Sequence, residues 1–387
     1  MTDRDHNPSS THPPLPPTSE DDQFSRLRLL RSRRVGIATY KRLLTEHGTA
    51  QNALAALPEV ARAAGVETYE VCPEAVVQAE LNAARAAGAR LVMHGTAAYP
   101  DLLADLDDSP PFLWVIGDPS LLDRPMVALV GARNASSLGM RMARKLARDL
   151  GQAGYVIVSG LARGVDAAAH AAALDTGTIA VHAGGVDVMY PAENTDLALS
   201  IAGQGLRLSE QPMGLQPIAR HFPSRNRIVS GLCRATVVVE AAAKSGSLIT
   251  ARDALDQGRD VLAVPGSPFD ARAAGCNQLL RDGAVLVRNA QDVIEAIDPI
   301  YKEPRQLPLD ASPVEPPRKP KSDARKNLRK TAKLHQKILA RLSPAPIAED
   351  QLIRDLAVCA AEAAPVLLDL ELEGQIIRQS GGMLSRS

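Results

Sequence analysis

MVALVGARNASSLGMRMARKLARDLGQAGYVIVSGLARGVDAAAHAAALDTGTIAVHAGG, residues 126–185, carries the pattern from which the fold follows. It holds three short runs, MVALV (126–130), YVIVS (155–159) and TIAVHA (178–183), each meeting a glycine-containing turn and then an Ala-rich helical segment. A strand with one wet face alternates apolar and polar residues. These runs show no such alternation and are mostly apolar, so they suit a parallel sheet covered by helices on both faces. ATVVVE (235–240) and DVLAV (260–264) continue the pattern. The expectation is an open, doubly wound α/β domain over residues 91–298.

On either side the composition changes. Residues 1–22 are polar and Pro-rich, with almost nothing apolar to offset the entropy of ordering, and are expected to be a disordered tail. Residues 23–90 show apolar spacings of three and four between Gly and Pro breaks, which predicts a small all-helical domain. Its segment 26–42 carries Arg26, Arg28, Arg31, Arg33, Arg34, Lys41 and Arg42 without an acid, either a solvated face or a phosphate-contacting one. Residues 299–325 are Pro-rich and aperiodic, as a linker is. Residues 326–387 read as three helices with a short hairpin around Gly381 and Gly382, the pattern of a winged-helix domain.

A chain of 387 residues is long enough for two to three domains and a sizeable core. Lys+Arg and Asp+Glu number 44 each, so no global positive field marks a nucleic-acid or membrane-surface binder, and any electrostatic site is local. The four cysteines are too far apart for metal or disulfide spacing, and no apolar stretch approaches a membrane span. Together with the absence of a leader-like N-terminus, this predicts a cytoplasmic protein with no metal site and no membrane partner.

In a doubly wound sheet, ligands sit at the carboxyl ends of the strands, so the loops there are the candidates. The first, Gly131-Ala132-Arg133-Asn134-Ala135-Ser136-Ser137-Leu138-Gly139, enters a helix whose free N–H groups favour an anion, with Arg133 adding charge. The GxGxxG fingerprint is missing, and the second strand ends in Ser159-Gly160 where an acid for a ribose hydroxyl is expected. This argues against NAD and FAD, and no cofactor is expected. Asp166 and His170, four residues apart on one helical face, suit a cap and packing pair or acid/base machinery, and no nucleophile lies near them in sequence. A Lys244-Ser245-Gly246-Ser247 turn follows the strand ending at Glu240, again a backbone nest for an anion; Ala243 before the lysine rules out a Walker A loop. No catalytic residue is assigned.

GARNASSLG, SGLARGVDAAAH, GGVDVMYPAEN, HFPSRNRIVSGL, VVVEAAAKSGSLITARDALDQGRDVLAVPG and GCNQLLRDGA occur in this order. Together they resemble the DprA/Smf family of DNA-processing proteins, from about Phe24 to the end of the chain and most strongly over residues 126–290. The resemblance implies a Rossmann-like domain flanked by an N-terminal helical SAM-like domain and a C-terminal winged helix. It further implies single-stranded DNA binding in a basic pocket, a homodimer formed through the Rossmann-like domain, and delivery of the strand to the recombinase RecA during natural transformation. By similarity, Arg133 and Lys244 are expected phosphate contacts and Arg220 a third, with Gly131, Ser159, Gly160, Gly246 and Asn226 lining the site. Arg225 and Arg227 are candidates too. They have a second reading, as buried ion pairs with Glu240 or Asp187 that hold the pocket. The enzymatic alternative is a nucleotide hydrolase of the lysine-decarboxylase-like Rossmann group, whose PGGxGTxxE loop supplies a glutamate. Here the corresponding strand end reads VVVEAAAKSGSLIT, and Pro265-Gly266 continues as Ser267-Pro268.

The third helix of a DNA-reading winged helix lies in the major groove and needs positive or neutral residues there. Residues 360–373 instead hold Glu362, Asp369, Glu371 and Glu373 with no Lys or Arg, so a protein-facing winged helix is expected. Residues 318–341, with ten Lys or Arg against one Asp, are expected to act as a basic arm.

Overall fold

The computed structural model describes residues 20–297, 334–343, 345–379 and 382–386. Residues 1–19 of the expected tail, the whole linker and most of the basic arm lie outside these. Glu20–Asp22, expected in the tail, instead form the first turn of helix α1 (Glu20–Arg31). The described residues fall in two compact units, one on either side of residue 302.

The first unit continues with α2 (Ile37–His47), α3 (Ala50–Ala63), α4 (Glu74–Ala86), β1 (Arg90–Met93), α5 (Asp101–Ala104) and β2 (Phe112–Gly117). Alternation then sets in: β3 (Met126–Val130), α6 (Ser137–Gln152), β4 (Val156–Ser159), α7 (Val165–Ala173), β5 (Thr178–Val181), α8 (Thr195–Gln204), β6 (Leu206–Ser209) and α9 (His221–Gly231). It ends with β7 (Ala235–Val238), α10 (Ser247–Asp256), β8 (Asp260–Ala263), α11 (Ala274–Arg281), β9 (Val285–Leu286) and α12 (Ala290–Ile297).

The strands form one nine-stranded sheet in the order β1-β2-β6-β5-β4-β3-β7-β8-β9. Every pairing from β6 to β9 is parallel, as expected of the apolar runs. Beyond the strands expected from sequence, β1 and β2 add an antiparallel edge through the β1–β2 and β2–β6 pairings. In β3, Met126, Ala128 and Val130 face one core with Ile228, Val229 and Ala251, while Val127 and Leu129 face the other with Leu146, Leu150 and Ala169. Both faces are thus dry, which explains why the strand carries no polar residue.

The chain leaves β3 toward β4, β5 and β6, then returns to place β7 on the other side of β3. The sheet therefore reverses direction between β3 and β7. There the loops after the two strands part to opposite faces and open a crevice.

The N-terminal helices do not stand apart from the sheet. Leu27, Leu43, Leu57 and Val77 share a core with Met93, Phe112 and Trp114. The buried carboxylate of Glu80 joins the two layers: it accepts both Arg31 Nε and Nη2 at 2.8 Å, and Trp114 Nε1 at 2.8 Å. A hydrogen bond to a buried charge contributes about 1.5–3 kcal/mol. Trp114→Phe keeps most of the ring but removes the donor, so it is expected to destabilise the fold by about 2 kcal/mol in denaturant titration; an unchanged midpoint would show the bond contributes nothing. The basic segment 26–42 is largely consumed in the same way. Arg26 pairs with Asp22, Arg28 with Glu74, and Lys41 Nζ caps the carbonyl of Asp107 at 2.7 Å. Most of it is neither a solvated face nor a phosphate site.

In the second unit, residues 334–341 form α13, followed by β10 (Ile347–Ala348), α14 (Glu349–Leu356), α15 (Ala360–Leu372), β11 (Ile376–Gln379) and β12 (Met383–Arg386). The three helices close over a core of Ile338, Leu352, Leu367 and Leu370, and β11 and β12 form the expected hairpin.

Candidate nucleic-acid interface

The crevice between β3 and β7 is built from loops that interlock. Ala132 N–H donates to Glu240 O at 2.6 Å, and Val165 N–H donates to Ala132 O at 3.2 Å, tying the loops after β3, β4 and β7 together. Gly164 sits at φ 76°, and a Cβ there would lie 2.2 Å from Ala132 O, so both backbone conformation and space require glycine. The Asp166 carboxylate accepts Gly160 N–H at 3.1 Å and Ala162 N–H at 3.3 Å, pinning the turn between β4 and α7.

Arg225 anchors this arrangement from below. It is buried, donates to Gly160 O and to Val181 O (2.7 Å), and faces the Asp166 carboxylate. Burial lowers its pKa to about 10, against the pull of Asp166, so it remains charged at neutral pH. Burial pushes the Asp166 carboxyl up, and Arg225 opposes the shift. Arg225 therefore holds the pocket from beneath, as the second reading expects, but through the carbonyls of Gly160 and Val181 and the nearby charge of Asp166, not through an ion pair with Glu240 or Asp187. Arg227 likewise belongs to an ion pair, with Glu210 and, at 3.5 Å, Asp108. It turns away from the cleft because it is two residues beyond Arg225 on α9 and so on another face of the helix.

Glu240 has a different task. Its carboxylate accepts Ser136 N–H at 2.9 Å and the Ser136 hydroxyl at 2.5 Å, while Ser136 Oγ caps α6 by accepting Gly139 N–H at 2.9 Å. The N-terminus of α6, expected to hold an external anion, is thus occupied by the chain's own carboxylate. The same bonds place Glu240 under a helix end.

Above this floor lies a cleft of about 800 Å³ lined by Gly131, Arg133, Asn134, Gly160, Phe222, Asn226, Lys244, Gly246 and Arg272, among others. Arg133 and Lys244 are exposed and have no carboxylate partner among the described residues. Arg133 lies over the Phe222 ring at 5.4 Å, and Phe222 packs against Tyr190 at 5.6 Å. A smaller cavity of about 270 Å³ opens beside them, lined by His182, Gly184, Tyr190, Phe222 and Arg225.

Of the residues singled out in sequence, Gly131, Arg133, Gly160, Asn226, Lys244 and Gly246 come together here. Arg220 is exposed at the start of α9, next to the lining residue Ala219. Ser159 is displaced from the expected lining: it is fully buried, and its hydroxyl donates to Leu129 O at 2.6 Å. Asn226 Oδ1 accepts Arg225 Nε at 3.2 Å, leaving the amide nitrogen for other partners. Phe222, Tyr190 and Arg272 were missed. The chain has only 4 Phe, and one of them falling within HFPSRNR was the available signal.

Asp166 and His170 are not a pair. His170 Nδ1 meets Thr178 Oγ1 at 2.7 Å, and the threonine hydroxyl donates to Ile157 O, so the imidazole is the donor and carries its proton on Nδ1. His182 Nδ1 donates to Val188 O at 3.1 Å. Both Nε2 atoms are buried and make no hydrogen bond among the described residues. Burial, together with each ring's cationic neighbours, lowers both pKa values to about 3. Among the described residues no group of His, Cys, Asp and Glu could hold a metal ion, and no helix is long and apolar enough to cross a membrane.

On α15, Glu362 is exposed, and so are Leu368 (55%) and Leu372 (78%), four residues apart on one face. The nearby cation of the hairpin, Arg378, is held by Glu349 and Glu371.

Fold and cleft define a Rossmann-like α/β protein with a cation-rimmed switch-point site, carrying a helical and a winged-helix domain. Residues 90–298 match the family described as DNA recombination-mediator protein A, residues 20–83 a DprA-like N-terminal HHH domain, and residues 317–382 a DprA winged helix domain. The chain belongs to the DprA/Smf family of DNA-processing proteins. The N-terminal match is to the HHH type, where a SAM-like domain was expected. The chain is 48% identical over 198 residues to the DNA processing protein DprA of Streptococcus pneumoniae, covering 51% of this chain and 70% of that one. Protein Smf of Synechocystis is 36% identical over 310 residues, 73% of this chain and 76% of its own. The X-ray structure of the S. pneumoniae protein superposes with a TM-score of 0.53 at 36% identity, covering 69% of this chain and 99% of that one.

Proposed function

We propose that the protein binds single-stranded DNA in the switch-point cleft and acts by holding and delivering the strand, without turnover. The observation that carries this reading is the placement of two exposed cations, Arg133 and Lys244, with no ion-pair partner among the described residues, over a floor of glycine-rich loops. Small residues let a sugar-phosphate backbone approach closely, and the cations meet its charge. Phe222 and Tyr190 beside Arg133 offer ring faces to unstacked bases. A duplex keeps its bases stacked inside and cannot use those rings. The hydrolase alternative is disfavoured because its glutamate, Glu240, is bonded to Ser136 and caps a helix.

The test is a gel-shift comparison of single- and double-stranded DNA of equal length at several salt concentrations. Tighter binding of the single strand is expected, with nucleotides and ATP unchanged on incubation. Equal affinity for duplex, or release of base or phosphate abolished in Glu240→Gln, would overturn the reading.

Family membership supports two further parts of the proposal, transfer of the strand to RecA during natural transformation and action as a homodimer. The edge strand β9 leaves Val285 44% and Leu286 45% exposed, an unpaired apolar edge suited to a second copy. Sedimentation should give twice the chain mass of 41.1 kDa, reverting to the monomer in Leu286→Lys. RecA assembly on the strand should be faster with the protein present, and an unchanged rate would remove that part. The acidic and apolar surface of α15 supports a protein-facing winged helix.

A further inference from the structure

We propose that the outward face of α6 is a second track for the DNA backbone, engaged only by strands that extend beyond the switch-point cleft. This rests on the single-strand reading of that cleft. Arg141, Arg144, Lys145 and Arg148 are exposed at helical spacings that put them on one face. They line a groove of about 710 Å³ whose opposite wall is the 264–267 segment after β8. Lys145 pairs with Asp149 at 2.6 Å, but Arg141, Arg144 and Arg148 have no partner among the described residues.

The acids of the groove are already matched. Glu240 is bonded to Ser136, and Asp270 is held by Arg272 at 3.0 Å. The unpaired charge in the groove is therefore positive, which fits a polyanion. The groove also adjoins the cleft: Arg272 lines the cleft, while Asp270 and Glu240, its partners, line the groove. A strand leaving the cleft past Arg272 meets the arginines next. In the loop forming the groove's far wall, Phe269 is 100% exposed, a ring with no packing role among the described residues that suits stacking of an unpaired base.

The test compares oligothymidylates of about 5 and about 20 nucleotides, within and beyond the usual span of one single-strand site. In the variant Arg141→Gln, Arg144→Gln, Arg148→Gln, affinity for the short strand should stay within about twofold of wild type. For the long strand it should fall at least about tenfold, and the log–log salt slope should shrink by about 2, since each single-strand phosphate contact contributes about 0.7. Phe269→Ala should weaken the long strand about tenfold without altering the slope. These residues are exposed, so the melting temperature should not move, and it serves as the folding control.

An unchanged long-strand slope in the triple variant overturns the proposal, including the case in which the patch serves an acidic protein instead. Equal weakening of both lengths overturns it as well, because the patch would then be part of the first site. The reading of the cleft fails separately, if short-strand binding persists unaltered in Arg133→Ala.

Discussion

Between pH 7 and pH 5 the protein is expected to lose about 4 kcal/mol of folding stability through His170 and His182. Unfolded, each imidazole titrates near pH 6.5; folded, each does so only near pH 3. The folded pKa values lie below the unfolded ones, so stability is complete above about pH 6.5 and declines as pH falls toward 3. Over the first two pH units each histidine contributes about 2 kcal/mol of that loss. The cause is geometric. Each Nδ1 already donates, so a second proton would sit on a buried Nε2 that makes no hydrogen bond among the described residues, and the Ser159 carbonyl beside His170 offsets that cost only in part. The charged form would also face Arg225 from α9 and, for His182, Arg207 from β6. Asp166 and Glu210, whose pKa values burial raises, take up protons early in the folded state and soften the decline at its acid end. Denaturant titrations at pH 7, 6 and 5 measure the slope, and His182→Gln should reduce it by about half. A wild-type slope equal to that of the variant would disprove the assignment.

Combining Arg133→Ala with Lys244→Ala should weaken single-strand binding by two to four orders of magnitude. Hydrogen bonds to charged groups contribute about 1.5–3 kcal/mol each, and two are removed. The log–log salt slope should fall by about 1.4. That second reading separates lost phosphate contacts from a distorted cleft, since distortion lowers affinity without a fixed change in slope. Neither side chain has an ion-pair partner among the described residues, so thermal stability should change by no more than the loss of the Arg133–Phe222 contact, about 0.5–1 kcal/mol. Retention of wild-type affinity in the double variant would place the DNA elsewhere on the molecule.

The strands that declared themselves in sequence, β3, β4, β5, β7 and β8, are buried on both faces and mostly apolar, with only small polar residues such as Ser159, Thr178 and Thr236 buried within them. β6 was hidden by Arg207, a charge buried in the sheet, and β9 by being two residues long. The antiparallel edge was hidden because the direction of β2 is set by its pairing with β6, about 90 residues on, and nothing local to either strand encodes it. Within the site, glycines and exposed cations were legible, because a loop that admits a backbone and a charge that serves no local partner leave a local signature. Bonds across long separations left none. Glu240 reaches Ser136 across 104 residues, and nothing near either residue announces it. Arg227 shows the same limit: its position suggested the cleft, and only the fold shows that Glu210 claims it.

The shared core of Phe112, Trp114 and the N-terminal helices has a consequence for how the molecule can be divided. Family resemblance separates residues 20–83 from residues 90–298, as units that are inherited. Folding recognises no such seam. Phe112 and Trp114 are 1% and 2% exposed only because α1–α4 cover them, and Glu80 is bonded from both sides of the junction. A fragment beginning at residue 90 would turn that face of the sheet, aromatic rings included, toward water and toward other copies of itself. Heat or urea should take these two pieces apart together.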